Sequence, residues 1–323
     1  MLSLVTAPTV EPLTVAEVKN HLRLDSTSGE CAPTDLTATL AAPAAPGNVD
    51  NGVHRYKVTF VTADGETEAG EASNAVTVAD KTVNGQIALT NIPLGGSAVT
   101  SRKIYRTTAN TSTYLLQSTI ANNTATTATD NVADASLGVA APTTNTTLDP
   151  YINALIIAAR MYVEQHTKRA LCTQTWDLKG DSWGDVSCRG GIVLPFPPLQ
   201  TITSVTYLDS AGASTVWSAT TGYQVDAPTG PHAEHGRVYP RYQVQLPTLA
   251  SGTFNSVVVR FVCGYGAANA VPQPIKQAML LMIGHWYEHR EAVNIGNIVN
   301  LVTIVPLSAD ALLAPFNATR FGG

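Results

Sequence analysis

This sequence is short of charge. Asp, Glu, Lys and Arg make up 13% of its 323 residues, about half the share usual in a soluble protein. That excludes a chain held disordered by self-repulsion. The little charge present leans acidic, 19 basic against 24 acidic residues for a net charge of −5. A protein that grips nucleic acid through its phosphates carries a basic surplus instead. Cysteine is also scarce. Cys31, Cys172, Cys188 and Cys263 form no C-x-x-C pair, which excludes a zinc ribbon or a thioredoxin-type centre. A chain this long needs no disulfides to fold, so the four are expected as free thiols made in a reducing cytoplasm. No uninterrupted apolar run is longer than Ala278 to Ile283, far short of the ~20 residues of a membrane span. Met1 to Val5 lacks the basic region and long apolar stretch of a signal peptide. Gly264-Tyr265-Gly266 follows a predicted strand, but neither G-x-x-x-x-G-K-[ST] nor G-x-G-x-x-G is completed around it, so nucleotide binding is not expected.

What is present changes abruptly near residues 30 and 147. Between Cys31 and Thr147 lie 23 Thr and 21 Ala, no Trp, and Phe60 alone of its kind. Alternation marks this stretch as all-β rather than linker. Tyr56, Val58 and Phe60 share a face, Asp64-Gly65 makes a turn, and Val76/Val78 and Ile87/Leu89 alternate. Ile104 to Arg106 and Tyr114 to Leu116 read as a second hairpin. Strands recurring at short intervals predict a β-sandwich, flanked by Pro/Ala-rich and Thr-rich linkers.

The two ends read as one domain cut open by this module. Thr14 to Glu17 is a capping box starting a helix to about Leu24. Asp149-Pro150 opens a second helix, with Ile152, Leu155, Ile156, Ala159 and Val163 at helical spacing and Lys168-Arg169 at its end. Strands are expected over 175–178, 191–194, 201–208, 223–225, 237–239, 242–246 and 257–263. A third helix is expected from Pro274 to about Arg290, burying Ile275, Ala278, Met279, Met282, Ile283 and Trp286. A short last helix follows Ser308. The fold class is therefore α+β: a helical domain, residues 1–30 and 148–323, with a sheet region between its second and third helices, interrupted by an all-β module over 31–147.

His285, Glu288 and His289 complete H-x-x-E-H, a zinc-hydrolase pattern whose two His share a helix face. The carboxylate ligand that such a site takes from downstream is missing. Only Glu291 and Asp310 follow, and Glu291 points away from His289. A solvated helix end without metal is the favoured reading. The Pro231 to Gly236 loop, with His232, Glu234 and His235, reads as an exposed turn. Tyr56, Phe60, Tyr105 and Tyr114 fall on strand cores, which leaves few rings for a sugar platform. No cofactor, metal or catalytic residue is expected.

Ordered segments at both ends carry a family resemblance. They are Val5 to Pro8 with Glu11 to Glu17, His21 to Asp25, Ala158 to Glu164, Arg169 to Leu171 and Gln174 to Trp176. Leu194-Pro195 with Pro197 to Leu199, Phe261 to Gly266, Val271 to Ala278, Gly284 to Glu288 and Ala311 to Phe316 complete the set. Together they resemble the head-to-tail adaptor (connector) proteins of long-tailed bacteriophages and prophages. The inserted module resembles Ig-like or fibronectin-like modules of phage structural proteins. The resemblance implies a non-enzymatic virion protein of the neck, made in the host bacterial cytoplasm. It implies a ring of twelve copies under the portal that extends the DNA channel and docks the stopper or tail. Another neck or tail-completion role in the same particle is the alternative. DNA would pass through without specific binding, and no membrane is involved. From the apolar C-terminal stretch, Leu301, Ile304, Leu312, Leu313 and Phe316 are expected to form an exposed portal-docking surface. Asp226, His232, Glu234 and His235 are expected in a loop facing the stopper or the lumen.

Overall fold

A computed structural model describes residues 1–24, 29–188, 191–289 and 307–318, apart from the side chains of 187, 188 and 307. The protein is mixed α and β. It divides into two compact units, one formed by Met1–His21 with Ala154–Gly323, the other by Leu22–Asn153.

The first unit is built on an antiparallel five-stranded sheet in the order Leu2–Thr6, Gln174–Gly180, Val257–Cys263, Leu199–Leu208, Ser214–Val216. Alternation in the 257–263 strand turns Val257, Val259, Phe261 and Cys263 inward. They pack with Val205 and Trp217 against Ile192, Tyr223 and Val238 of a smaller sheet, ordered Ser187–Cys188, Gly191–Val193, Arg237–Pro240, Tyr223–Asp226. The strand expected over 242–246 does not form. Gln243 sits at φ 63° and the Val244 amide bonds back to the Arg241 carbonyl, which closes a turn where an extended backbone was required. The Leu2–Thr6 and Ser214–Val216 strands are edges that the sequence did not announce.

Helices close the unit. The capping box is made on both sides: the Glu17 amide donates to Thr14 Oγ1 at 3.1 Å and the Thr14 amide donates to Glu17 Oε2 at 2.7 Å. The long helix, Asp149–Thr167, buries Ile152, Ile156, Ala159 and Val163 and stops where Lys168 turns to φ 57°. Arg160 joins the two chain segments, donating to Glu11 at 2.8 Å and to Glu164 at 2.9 Å. Burial pushes the Glu164 carboxyl up, against the pull of the Leu171 amide, Arg160 and Gln174. The third helix, Gln273–Glu288, buries the predicted stripe with two differences. Trp286 is only half-buried, edge-on to Tyr162 at 6.5 Å. Lys276 is buried, its ammonium 3.6 Å from Glu17.

The second unit is all-β apart from short helical turns. One antiparallel sheet pairs Tyr56–Thr62, Val99–Thr107 and Tyr114–Ile120. A second pairs Thr37–Leu40, Ile87–Thr90 and Ala128–Asp130, and Gly52–His54 pairs with Val76–Val78. All three supply one core that includes Ala38, Tyr56, Val58, Val78, Leu89 and Ile104. Two arginines are buried completely in this unit. Arg106 donates to Asp130 at 2.6 Å and to Asp134 at 2.7 Å. Arg102 donates to the carbonyls of Pro93, Asn122 and Ala125 at 2.6–3.1 Å. These carbonyls belong to the loops around residues 93 and 122–125, which the guanidinium ties together.

Cys31, Cys172 and Cys263 are free thiols, the first exposed and the other two buried. Burial, with Glu11 and Glu164 nearby, pushes the Cys172 thiol up to about 11, and burial pushes Cys263 up as well. The thiolate is the reactive form. A maleimide at pH 7 is therefore expected to label Cys31 in the folded protein and to reach Cys172 and Cys263 only on unfolding. Peptide mapping by mass spectrometry reads the difference.

Candidate functional site

The loop and the tail that the sequence treated as two surfaces are one assembly. The last helix, Leu307–Leu313, packs on the third helix and buries Ala309 and Leu313, both 0% exposed. Phe316, in the turn of 3-10 helix that follows, is 4% exposed. The expectation that Leu313 and Phe316 face outward is corrected. The third helix leaves the core open on this side, and these two side chains complete it. Leu312 is half-buried. Leu301 and Ile304 lie outside the described residues.

Main-chain carbonyls hold the loop to the tail. His232 stacks on Phe316 at 4.7 Å between ring centroids, and its Nδ1 lies 3.2 Å from the Pro315 carbonyl oxygen. His235 bridges the carbonyls of Leu194 and Ala318, at 2.9 Å from Nδ1 and 3.3 Å from Nε2. Beneath them Arg169, 3% exposed, donates from Nη1 to the Ala233 carbonyl at 2.7 Å and from Nε to the Phe316 carbonyl. The Ala318 amide returns to the Thr167 carbonyl at 2.8 Å. Asp226, His232 and Glu234 remain exposed, so the loop still presents a polar rim above this clasp.

The Gly264-Tyr265-Gly266 loop supports the same assembly from below. Gly264 has φ 114°, and a Cβ there would sit 2.2 Å from the Cys172 carbonyl oxygen, so only glycine fits. The Gly264 and Tyr265 amides donate to the carbonyls of Pro198 and Leu171, which leaves neither N–H for a phosphate. The Tyr265 hydroxyl donates to the Pro231 carbonyl at 2.6 Å. Burial pushes this phenol up, while nearby Arg169 pulls it down. A shallow groove of about 630 Å³ runs between Gln200, Thr229, Pro231, Tyr265 and Pro272.

Neither catalytic pattern assembles a site among the described residues. The His285 and His289 rings lie 4.9 Å apart, and Glu288 and His289 are exposed. No group of three His, Cys, Asp or Glu able to hold a metal occurs among the described residues. Gly180 to Gly184 spells G-x-S-x-G, a nucleophile-elbow pattern. Its Ser182 belongs to a turn: the Asp185 carboxylate accepts the Asp181 and Ser182 amides at 2.9 and 2.8 Å. The Ser182 side chain also bonds Asp185, where a nucleophile needs a histidine base. No helix among the described residues is long and apolar enough to cross a membrane.

No protein-family model matches the sequence, and no curated protein matches it. Solved structures do. The chain is similar to a chain in the neck of an empty gene transfer agent particle, with TM-score 0.44 and 23% identity over 55% of this chain and 81% of that one. It is also similar to a chain in the neck of the native particle, computed with C12 symmetry, with TM-score 0.43 and 23% identity over 55% and 86% of the two chains. A chain in the virion of the native particle matches with TM-score 0.42 and 23% identity over 54% and 80%.

Proposed function

We propose that this chain is a virion structural protein of the neck, a head-to-tail adaptor that forms a ring of twelve copies under the portal. One observation carries the reading. The segments that resemble the adaptor family lie at the two ends of the chain, and residues 1–21 and 154–323 form one compact unit although residues 22–153 separate them in sequence. In this reading the ring continues the DNA channel and offers its lower rim to the stopper or tail. Sparse, acidic-leaning charge suits a wall along which DNA must slide, because counterion release on phosphate contact would hold it in place. Portal docking falls to Leu301, Ile304 and Leu312, since Leu313 and Phe316 are used in the core. Asp226, His232 and Glu234 face the stopper or lumen, with His235 as the anchor of their loop. The 22–153 unit is an Ig-like decoration.

The test is particle labelling. A tag fused in the second unit, at the exposed Val139 (69% exposed), is detected with gold-conjugated antibody on purified particles. Label between head and tail is the expected result, and label on the capsid shell or tail tip overturns the reading. The decoration reading has its own measurement. Removing residues 32–147 and rejoining with a short linker is expected to leave a unit that unfolds cooperatively. A deletion protein that melts without a transition would contradict it.

A further inference from the structure

The first unit exposes two apolar surfaces without charged side chains. Residues 1–10 contain no Asp, Glu, Lys or Arg and include the edge strand of the five-stranded sheet. Leu2 is opposite Leu178 and Leu4 opposite Trp176, so all four side chains share the core-facing side of the sheet. Leu2 and Leu4 are nevertheless 40% and 46% exposed. Trp176, half-buried, packs on Phe196 at 4.9 Å, and Phe196 is held at φ 60°, a conformation unfavourable for a bulky side chain. Asp177 and Lys179 alternate to the opposite side, where Asp177 pairs with Arg260 at 2.8 Å. The result is an apolar seam along an edge with no charged side chain, its one nearby charge being the Met1 ammonium, which donates to the Lys179 carbonyl at 2.6 Å. An open edge of this kind is a template for association.

The second surface is the outer face of the long helix. At 100° per residue, Ala154, Ile157, Ala158 and Met161 form one stripe at i, i+3, i+4 and i+7. All four are exposed, Ile157 at 42% and Met161 at 59%. The opposite face of this helix is the buried Ile156, Ala159 and Val163. A helix apolar on both sides belongs in an interior, and here one side faces out.

We propose that the outer stripe of the long helix of one copy seats in the seam at Leu2, Leu4, Trp176, Leu178 and Phe196 of a second copy. A helix face with this anchor spacing is the knob that an apolar groove accepts. The occupant is another copy because the same chain carries both halves, and neither half offers a charged side chain to select a charged partner. The two halves are different surfaces, so the contact is heterologous and propagates until a rotation closes it. The closed product is the ring proposed above, and on that point the inference rests on the adaptor reading.

The test is native mass spectrometry and light scattering of the whole chain over a concentration series. Wild type is expected to form closed rings. Met161→Glu and Leu4→Arg are each expected to stay monomeric at concentrations at least tenfold above wild-type assembly, with unchanged melting. Mixed one to one, the two variants are expected to assemble again. Each keeps the half the other lacks, and the remaining contact sets two opposite introduced charges together. Met161→Gln and Leu4→Gln, uncharged and mild, guard against a folding defect and are expected to weaken assembly in the same order. Variants that assemble like wild type overturn the contact and leave the ring standing. Wild-type two-fold dimers that both charge variants dissolve keep the contact but overturn the ring. A wild type monomeric up to millimolar concentration overturns the inference.

Discussion

Asp130→Ala is expected to destabilise the 22–153 unit by about 3–5 kcal/mol, the usual result of removing one partner of a buried ion pair. Asp130 is 0% exposed and is the acceptor on which four donors converge. Arg106 reaches it at 2.6 Å, the Tyr56 hydroxyl at 2.7 Å, the Val132 amide at 2.9 Å and Gln117 at 3.1 Å. Burial first, and then the Asp130 charge, push the Tyr56 phenol far up, in keeping with its role as a donor to Asp130. Alanine leaves the Arg106 cation in the core with Asp134 as its remaining carboxylate. Since a domain holds about 5–15 kcal/mol in all, the loss is roughly a fifth to the whole of the unit's stability. Calorimetry of the full chain reads this as an early transition belonging to 22–153. The double variant Asp130→Ala with Arg106→Met removes the stranded charge and is expected to recover most of the loss, because an apolar replacement of a whole buried pair is often neutral. A double variant as unstable as the single one would show that the packing around Asp130, rather than its charge, holds the unit.

This network also marks where sequence reading stops. Alternation correctly put Tyr56, Val58 and Phe60 on one buried face, because a strand's period of two is a local property. Arg102 and Arg106 share that inward parity with Ile104. A charge at a core position reads as an error until its partners are known, and Asp130 lies 24 residues from Arg106 and 74 from Tyr56. The Thr14–Glu17 capping box was legible for the opposite reason, since both of its halves are within four residues. The Leu2–Thr6 strand gave no pattern, since an edge strand this exposed buries no alternate side chain fully. At the clasp, the sequence found the loop residues and the tail residues separately. It assigned Arg169 to a helix terminus, where the charge does sit, but the acceptors are main-chain carbonyls 64 and 147 residues away. Main-chain acceptors have no residue type, so no motif can point to them.

Arg169 therefore carries the second large expectation. Arg169→Met keeps the apolar length of the side chain and removes both donors to the Ala233 and Phe316 carbonyls. A hydrogen bond from a charged group contributes about 1.5–3 kcal/mol, so losing two buried ones is expected to destabilise the first unit by about 3 kcal/mol or more. The loss should be local before it is global. His232 and His235 would then hold the loop to residues 315–318 alone, and hydrogen exchange should quicken over 231–236 and 307–318 while the 257–263 strand stays protected. Arg169→Lys is expected to fall between the two, because an ammonium is a single point of donors where the guanidinium forks toward two carbonyls. Leu313→Ala removes buried apolar bulk from the same end and is expected to cost a similar 2–5 kcal/mol by leaving a cavity, yet it keeps the fork. If Leu313→Ala quickened exchange over 231–236 as much as Arg169→Met does, the clasp would owe its closure to packing of the last helix rather than to Arg169. Exchange that rises over 307–318 alone in Leu313→Ala, and over both segments in Arg169→Met, identifies the guanidinium as the tie between loop and tail.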